Sequence, residues 1–111
     1  MIVLCCPLTP ETRHIIDAEA LAKTKRGVHL INVARGPLVD EPALVEALAS
    51  GQVGAAGLDV FESEPLPADS RLREFEQCVF GTHNGSNTRE GNLRASAKAV
   101  DNVLSGLGVS E

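Results

Sequence analysis

The sequence predicts an α/β fold: a parallel sheet of about four strands with helices flanking it on both faces. Three observations predict it. Short apolar runs alternate with stretches of about ten residues that have helical spacing, which is the pattern of parallel crossover units. Most of these segments stop at a breaker such as Pro7, Gly27 or Gly51. Polar side chains able to do chemistry follow the runs rather than interrupt them, as at Arg35, Asp59 and His83.

Each element has a local cause. Ile2 to Cys6 is an apolar run halted by Pro7, and it reads as a buried strand. Thr9 can cap a helical turn that has Pro10 at its first position. Asp17 can cap a helix from Ala18 to Lys25, with Gly27 as its stop. Val28 to Ala34 reads as a second strand, rich in the β-branched residues of a sheet buried on both faces. Asp40 can cap a helix running to about Ser50, with Pro42 in its first turn and Leu44, Val45 and Leu48 as its apolar stripe. Val53 to Val60 is a small-residue strand, Glu62 to Ser70 an acidic loop, and Cys78 to Gly81 a short fourth strand. A long amphipathic helix from about Thr88 to Ser105 completes the chain, with Leu93, Ala97, Val100, Leu104 and Leu107 along one side.

Composition excludes several classes of function. At 111 residues the chain is one domain or part of one. A net charge of -5 without a basic stripe argues against a nucleic-acid partner. No polybasic patch and no apolar run of about 20 residues suggests a membrane. The start lacks the charged region and cleavage site of a signal peptide. Three cysteines, two of them adjacent at Cys5 and Cys6, do not have metal or redox spacing. They read as buried thiols in a reducing cytoplasm, and no metal site is expected.

In a parallel sheet, ligands bind at the carboxyl ends of the strands. Pro7, Arg35, Gly36, Asp59 and His83 all fall at such ends, and Glu62 and Glu64 lie just beyond the third. Residues scattered in sequence are thereby gathered in space. A carboxylate beside an imidazole fixes its tautomer, so Glu64 can orient His83 as a proton donor or acceptor. The planar fork of Arg35 suits a substrate carboxylate. Asp59 can accept a hydrogen bond from a carboxamide. The set suits reduction of a 2-keto acid, with the hydride coming from a cofactor, because no side chain here can supply one. Taken singly, each residue has an ordinary alternative as a solvated strand-end side chain. His14 and His29 lie away from these ends and are assigned no role.

At these residues the sequence resembles the D-isomer-specific 2-hydroxyacid dehydrogenases. PLTPETRHIID, VHLINVARGPLVDEPALVEAL, GLDVFESEPLP and THNGSNT match four of that family's segments in order. GSNT and the helix after it look closest to phosphoglycerate dehydrogenase-like members. The form GTHNGSNT departs from the commoner T-P-H-x-G-S pattern. The resemblance implies NAD as cofactor and a partial Rossmann-type sheet. It implies that Arg35 binds substrate, that Glu64 partners His83, and that His83 is the general acid/base. It also implies that Asp59 contacts the nicotinamide, while Cys6, Pro7, Val33, Ala34 and Gly85 line the cofactor. A Glu at position 64 favours hydroxyacid chemistry over that of formate dehydrogenases, which carry Gln there.

The family's G-x-G-x-x-G turn and the acid about 20 residues beyond it are not in this chain. Residues 1–111 therefore read as the C-terminal portion of a NAD-binding domain, about a third of a family enzyme. The glycine-rich half and the substrate domain are absent, so the isolated chain is expected to be inactive. Ile2 to Cys6 is then expected to be an exposed edge, and the last helix to lack packing partners. Self-association into a homo-oligomer follows as an expectation. The competing reading is a non-catalytic interaction or regulatory module that kept the fold.

Overall fold

The computed structural model describes residues 1–108. Its strands are β1 (Ile2–Leu4), β2 (Val28–Asn32), β3 (Val53–Leu58) and β4 (Cys78–Phe80). They form one sheet in the order β1-β2-β3-β4, every pair parallel. The helices are α1 (Ala18–Ala22), α2 (Glu41–Ala49) and α3 (Arg89–Gly106). Short 3-10 helices occupy Gly36–Leu38 and Arg71–Glu74.

The caps at Asp17 and Asp40 follow the sequence, and the structure adds a third at Thr88. The Asp17 side chain accepts the Ala20 N–H, that of Asp40 the Ala43 N–H, and that of Thr88 the Gly91 N–H. Each satisfies a donor that the first turn of a helix leaves free. Gly27 and Gly51 take positive φ where the chain turns from α1 and α2 into the next strand.

Several elements are shorter than the sequence suggests. β1 ends at Leu4, so Cys5 and Cys6 lie in the exit turn; Cys5 is exposed and Cys6 half-buried. Cys78, in β4, is also only half-buried. The expectation of buried thiols therefore does not hold. β2 ends at Asn32, whose own side chain takes the Ala34 N–H at 3.1 Å and turns the backbone out of the sheet. α1 stops at Ala22 rather than Lys25, and β3 at Leu58 rather than Val60. The 3-10 turn at Arg71–Glu74 was not expected; the Ser70 hydroxyl caps it by accepting the Leu72 N–H.

Four sequential parallel strands in the order β1-β2-β3-β4 carry the helices that connect them on one face, as crossovers of a single hand require. Leu4, Leu30, Ala56 and Leu58 pack there with Leu21 of α1 and with Leu44, Val45 and Leu48 of α2. Burying each Leu side chain contributes about 2 kcal/mol. The opposite face is open, contrary to the expectation of helices on both. Val3 is 49% and Val79 73% exposed, and they lie in register with Ile31 and Gly57 across the sheet. α3 does not cover that face: none of its residues is buried, and Leu93 and Leu107 stand in solvent. Among the described residues, no helix is long and apolar enough to cross a membrane.

Candidate active site

All four strands point the same way, so every expected site residue lies at one end of the sheet. Cys6 and Pro7 follow β1; Val33, Ala34 and Arg35 follow β2; Asp59 and then Glu64 follow β3; His83 and Gly85 follow β4. They divide between two cavities. One of about 450 Å³ is lined by Asp59, Phe61, Glu64, Phe80 and His83 among others. The second, of about 660 Å³, is lined by Cys5, Cys6, Pro7, Leu8, Ala34 and Arg35. Val33 and Gly85 line neither, although Val33 is exposed beside the second.

The first cavity holds the acid and the imidazole. Glu64 Oε2 lies 2.8 Å from His83 Nδ1. Its other oxygen, Oε1, accepts the Phe61 N–H at 3.0 Å. The His83 hydrogen bond, then the Phe61 amide, hold the Glu64 carboxyl below its ordinary pKa; slight burial opposes them, and the charges of His83 and Arg35 add to the effect. An ionised Glu64 bonded at Nδ1 leaves the Nε2 edge of His83 available to a ligand.

The backbone around His83 is built on one residue. The N–H groups of His83, Asn84 and Gly85 donate in turn to the Asp59 carbonyl oxygen (2.7 Å), Oδ1 (3.1 Å) and Oδ2 (2.7 Å). This wrap accompanies a positive φ of 58° at His83, a conformation that most side chains avoid. Gly81 has room for nothing larger, since a Cβ there would fall 2.1 Å from Asp59 Oδ1. Asp59 thus already engages two loop amides through its carboxylate, a role the sequence did not suggest.

Arg35 is exposed, and its Nη1 donates to the Ala34 carbonyl at 2.6 Å. Its turn is set by Asn32, which is 1% exposed and accepts the Ala34 N–H while donating Nδ2 to the Arg35 carbonyl at 2.9 Å. Sequence reasoning passed over Asn32; a single amide inside a β-branched strand was the available signal. It also passed over Arg73, which lines the first cavity and donates to the carbonyls of Pro67 and Leu66. Nothing in the local pattern marked Arg73 as different from other loop cations.

The residues present fit the nicotinamide end of a dinucleotide. The second cavity is walled by small and apolar groups together with Arg35 and contains no acid, while acid and imidazole stand at the neighbouring strand ends. No group of His, Cys, Asp and Glu among the described residues is arranged to hold a metal.

A parallel sheet with its polar side chains gathered at the carboxyl ends of the strands is the architecture of the nucleotide-binding α/β domains. The chain belongs to a particular family of these. Residues 1–85 match the family described as "D-isomer specific 2-hydroxyacid dehydrogenase, NAD binding domain". NAD is accordingly its cofactor class. A glyoxylate/hydroxypyruvate reductase B from Enterobacter sp. (strain 638) is 48% identical over 106 residues, which cover 96% of this chain and 33% of that protein. A glyoxylate reductase crystal structure from Paecilomyes thermophila superposes with a TM-score of 0.85 at 41% identity, covering 93% of this chain and 31% of that one. A D-isomer specific 2-hydroxyacid dehydrogenase from Xanthobacter autotrophicus Py2, solved with NADPH and MES, matches at 53% identity and a TM-score of 0.71 over 73% of this chain and 26% of that one. The chain spans about a third of the length of the curated relatives it matches.

Proposed function

We propose that the chain is the C-terminal portion of a NAD-binding domain and supplies the acid/base apparatus of a 2-keto acid reductase. The observation that carries this reading is the 2.8 Å contact between Glu64 and His83 at the carboxyl end of a parallel sheet. His83, protonated on both ring nitrogens, gives its Nε2 proton to the carbonyl oxygen of the keto acid as it is reduced; Glu64 at Nδ1 stabilises the charged ring and leaves the neutral ring with its remaining proton on Nδ1. Arg35 binds the substrate carboxylate through its guanidinium fork. Asp59 fixes the turn that presents His83 and offers its remaining lone pairs to the nicotinamide carboxamide. Cys6, Pro7 and Ala34 form the wall against which the nicotinamide lies, with Val33 and Gly85 at its margins. The cofactor, when bound, supplies the hydride. The names of the relatives favour a small keto acid such as glyoxylate or hydroxypyruvate as substrate.

No G-x-G-x-x-G turn occurs in the chain, so the isolated polypeptide binds dinucleotide weakly and does not turn over. Grafting tests this reading. The matching 106-residue stretch of the Enterobacter relative is replaced by that of this chain. The graft should reduce glyoxylate with NADH or NADPH; a folded graft with no keto acid reductase activity contradicts the proposal.

We also propose that the chain is cytoplasmic and self-associates through its uncovered surfaces. The open sheet face with Val3 and Val79 and the bare apolar side of α3 support this, as does the edge position of β1. Sedimentation at micromolar concentration should show a dimer or larger; a single monomeric species contradicts it.

A further inference from the structure

The two peptides flanking the Phe61 Cα are held at three points. The Glu62 N–H donates to Glu41 Oε1 at 2.6 Å, from the first residue of α2. The Phe61 carbonyl lies over Gly36, where a Cβ would come within 1.8 Å of it. The Phe61 N–H donates to Glu64 Oε1. The Glu62 side chain is held as well, because its Oε1 pairs with the His14 ring Nε2.

His14 is itself anchored. It sits at a φ of 53° in the connection between β1 and α1, and its N–H donates to the Pro37 carbonyl at 2.8 Å. The neighbouring residues continue the seam: Ile16 donates to the Leu38 carbonyl at 3.1 Å, and Asp40 to the Ile16 carbonyl at 3.0 Å. Three segments that leave β1, β2 and β3 are therefore tied to one another beside the acid–imidazole pair.

We propose that Glu41 and His14 are positioning residues for the Glu64–His83 pair, acting through residues 61 and 62. This rests on the reading of that pair as the acid/base apparatus. The route is short and made of named bonds. Glu41 and His14 fix the backbone and side chain of Glu62, the adjoining Phe61 amide aims Glu64, and Glu64 meets His83 at Nδ1. A carboxylate held by an amide on one oxygen presents the other in a fixed direction, which is what an orienting group needs. The segment from Glu62 to Pro65 is exposed and runs between the buried Phe61 and Leu66.

The test is the tautomer of His83 in the 111-residue chain. Only three histidines are present, so ring signals are assigned by replacing each in turn. Long-range proton–nitrogen spectra are recorded across a pH series and read at its high-pH end, where the ring signals stop changing. The parent should show His83 with its proton on Nδ1. Glu41→Ala should lose that signature and give mixed tautomers, whereas Glu41→Gln, which keeps an acceptor oxygen for the Glu62 amide, should restore it. His14→Gly, which removes the ring and tolerates the positive φ, should also lose it, and serves if Glu41→Ala does not fold. Arg71→Ala, which breaks only a remote surface pair with Glu46, should change nothing. The Nδ1–H signature surviving in folded Glu41→Ala or in His14→Gly overturns the proposal and leaves the functional reading standing. Its absence from the parent removes the pair itself, and the functional reading with it.

Discussion

The carboxylate of Asp59 accepts the backbone N–H of Gly85 at 2.7 Å, and this contact closes the turn that carries His83. Its other oxygen takes the Asn84 amide. Hydrogen bonds to a charged acceptor are each worth about 1.5–3 kcal/mol, enough to hold a residue at positive φ. Asp59→Ala should therefore raise hydrogen exchange at the Asn84 and Gly85 amides by roughly tenfold or more while β2 and β3 stay protected. Unchanged exchange at both amides would show that the turn stands without the acid.

Gly36 marks a close approach between the Arg35 and Glu64 loops. A methyl group there meets the Phe61 carbonyl at 1.8 Å, and backbone cannot swing aside as a side chain can. Gly36→Ala should cost about 1–3 kcal/mol or more, read as a lower urea midpoint. A midpoint equal to that of the parent contradicts the close packing of the two loops.

Burial pushes the Glu41 carboxyl above its ordinary pKa; the Glu62 amide pulls the other way and the Glu62 charge adds to the rise. The folded chain then holds this proton more tightly than the unfolded chain. The stability so gained is present below the unfolded pKa and is lost as pH rises through the folded one. Glu41→Gln cannot lose it. The variant should gain stability relative to the parent as pH rises past the ordinary carboxylate range, measured by urea unfolding in parallel. A difference that does not vary with pH contradicts the shift.

Much of this was legible in the sequence because the local signals agreed with the fold. Asp17 and Asp40 were readable as caps, and the four strands by their apolar runs. The placement of Arg35, Asp59 and His83 at strand ends followed from parallel pairing alone. Strand ends were harder to read. The run through Cys6 looked continuous, and nothing local showed that it leaves the sheet at Leu4. The second use of Asp59 depends on amides 25 and 26 residues away, which no short pattern encodes. His14 was set aside for the same reason: its partner Glu62 lies 48 residues on. The open sheet face was missed because a continuous apolar run reports that both faces can be buried, not what buries them.

The central claim is that His83 moves the proton in 2-keto acid reduction. The most direct measurement is the steady-state rate of NADH-dependent glyoxylate reduction by the graft described above, with His83 intact and as His83→Asn. Loss of a general acid removes about 10²- to 10⁴-fold, so kcat should fall by at least that lower factor in a folded variant. A His83→Asn graft that keeps the parent's kcat would contradict the account.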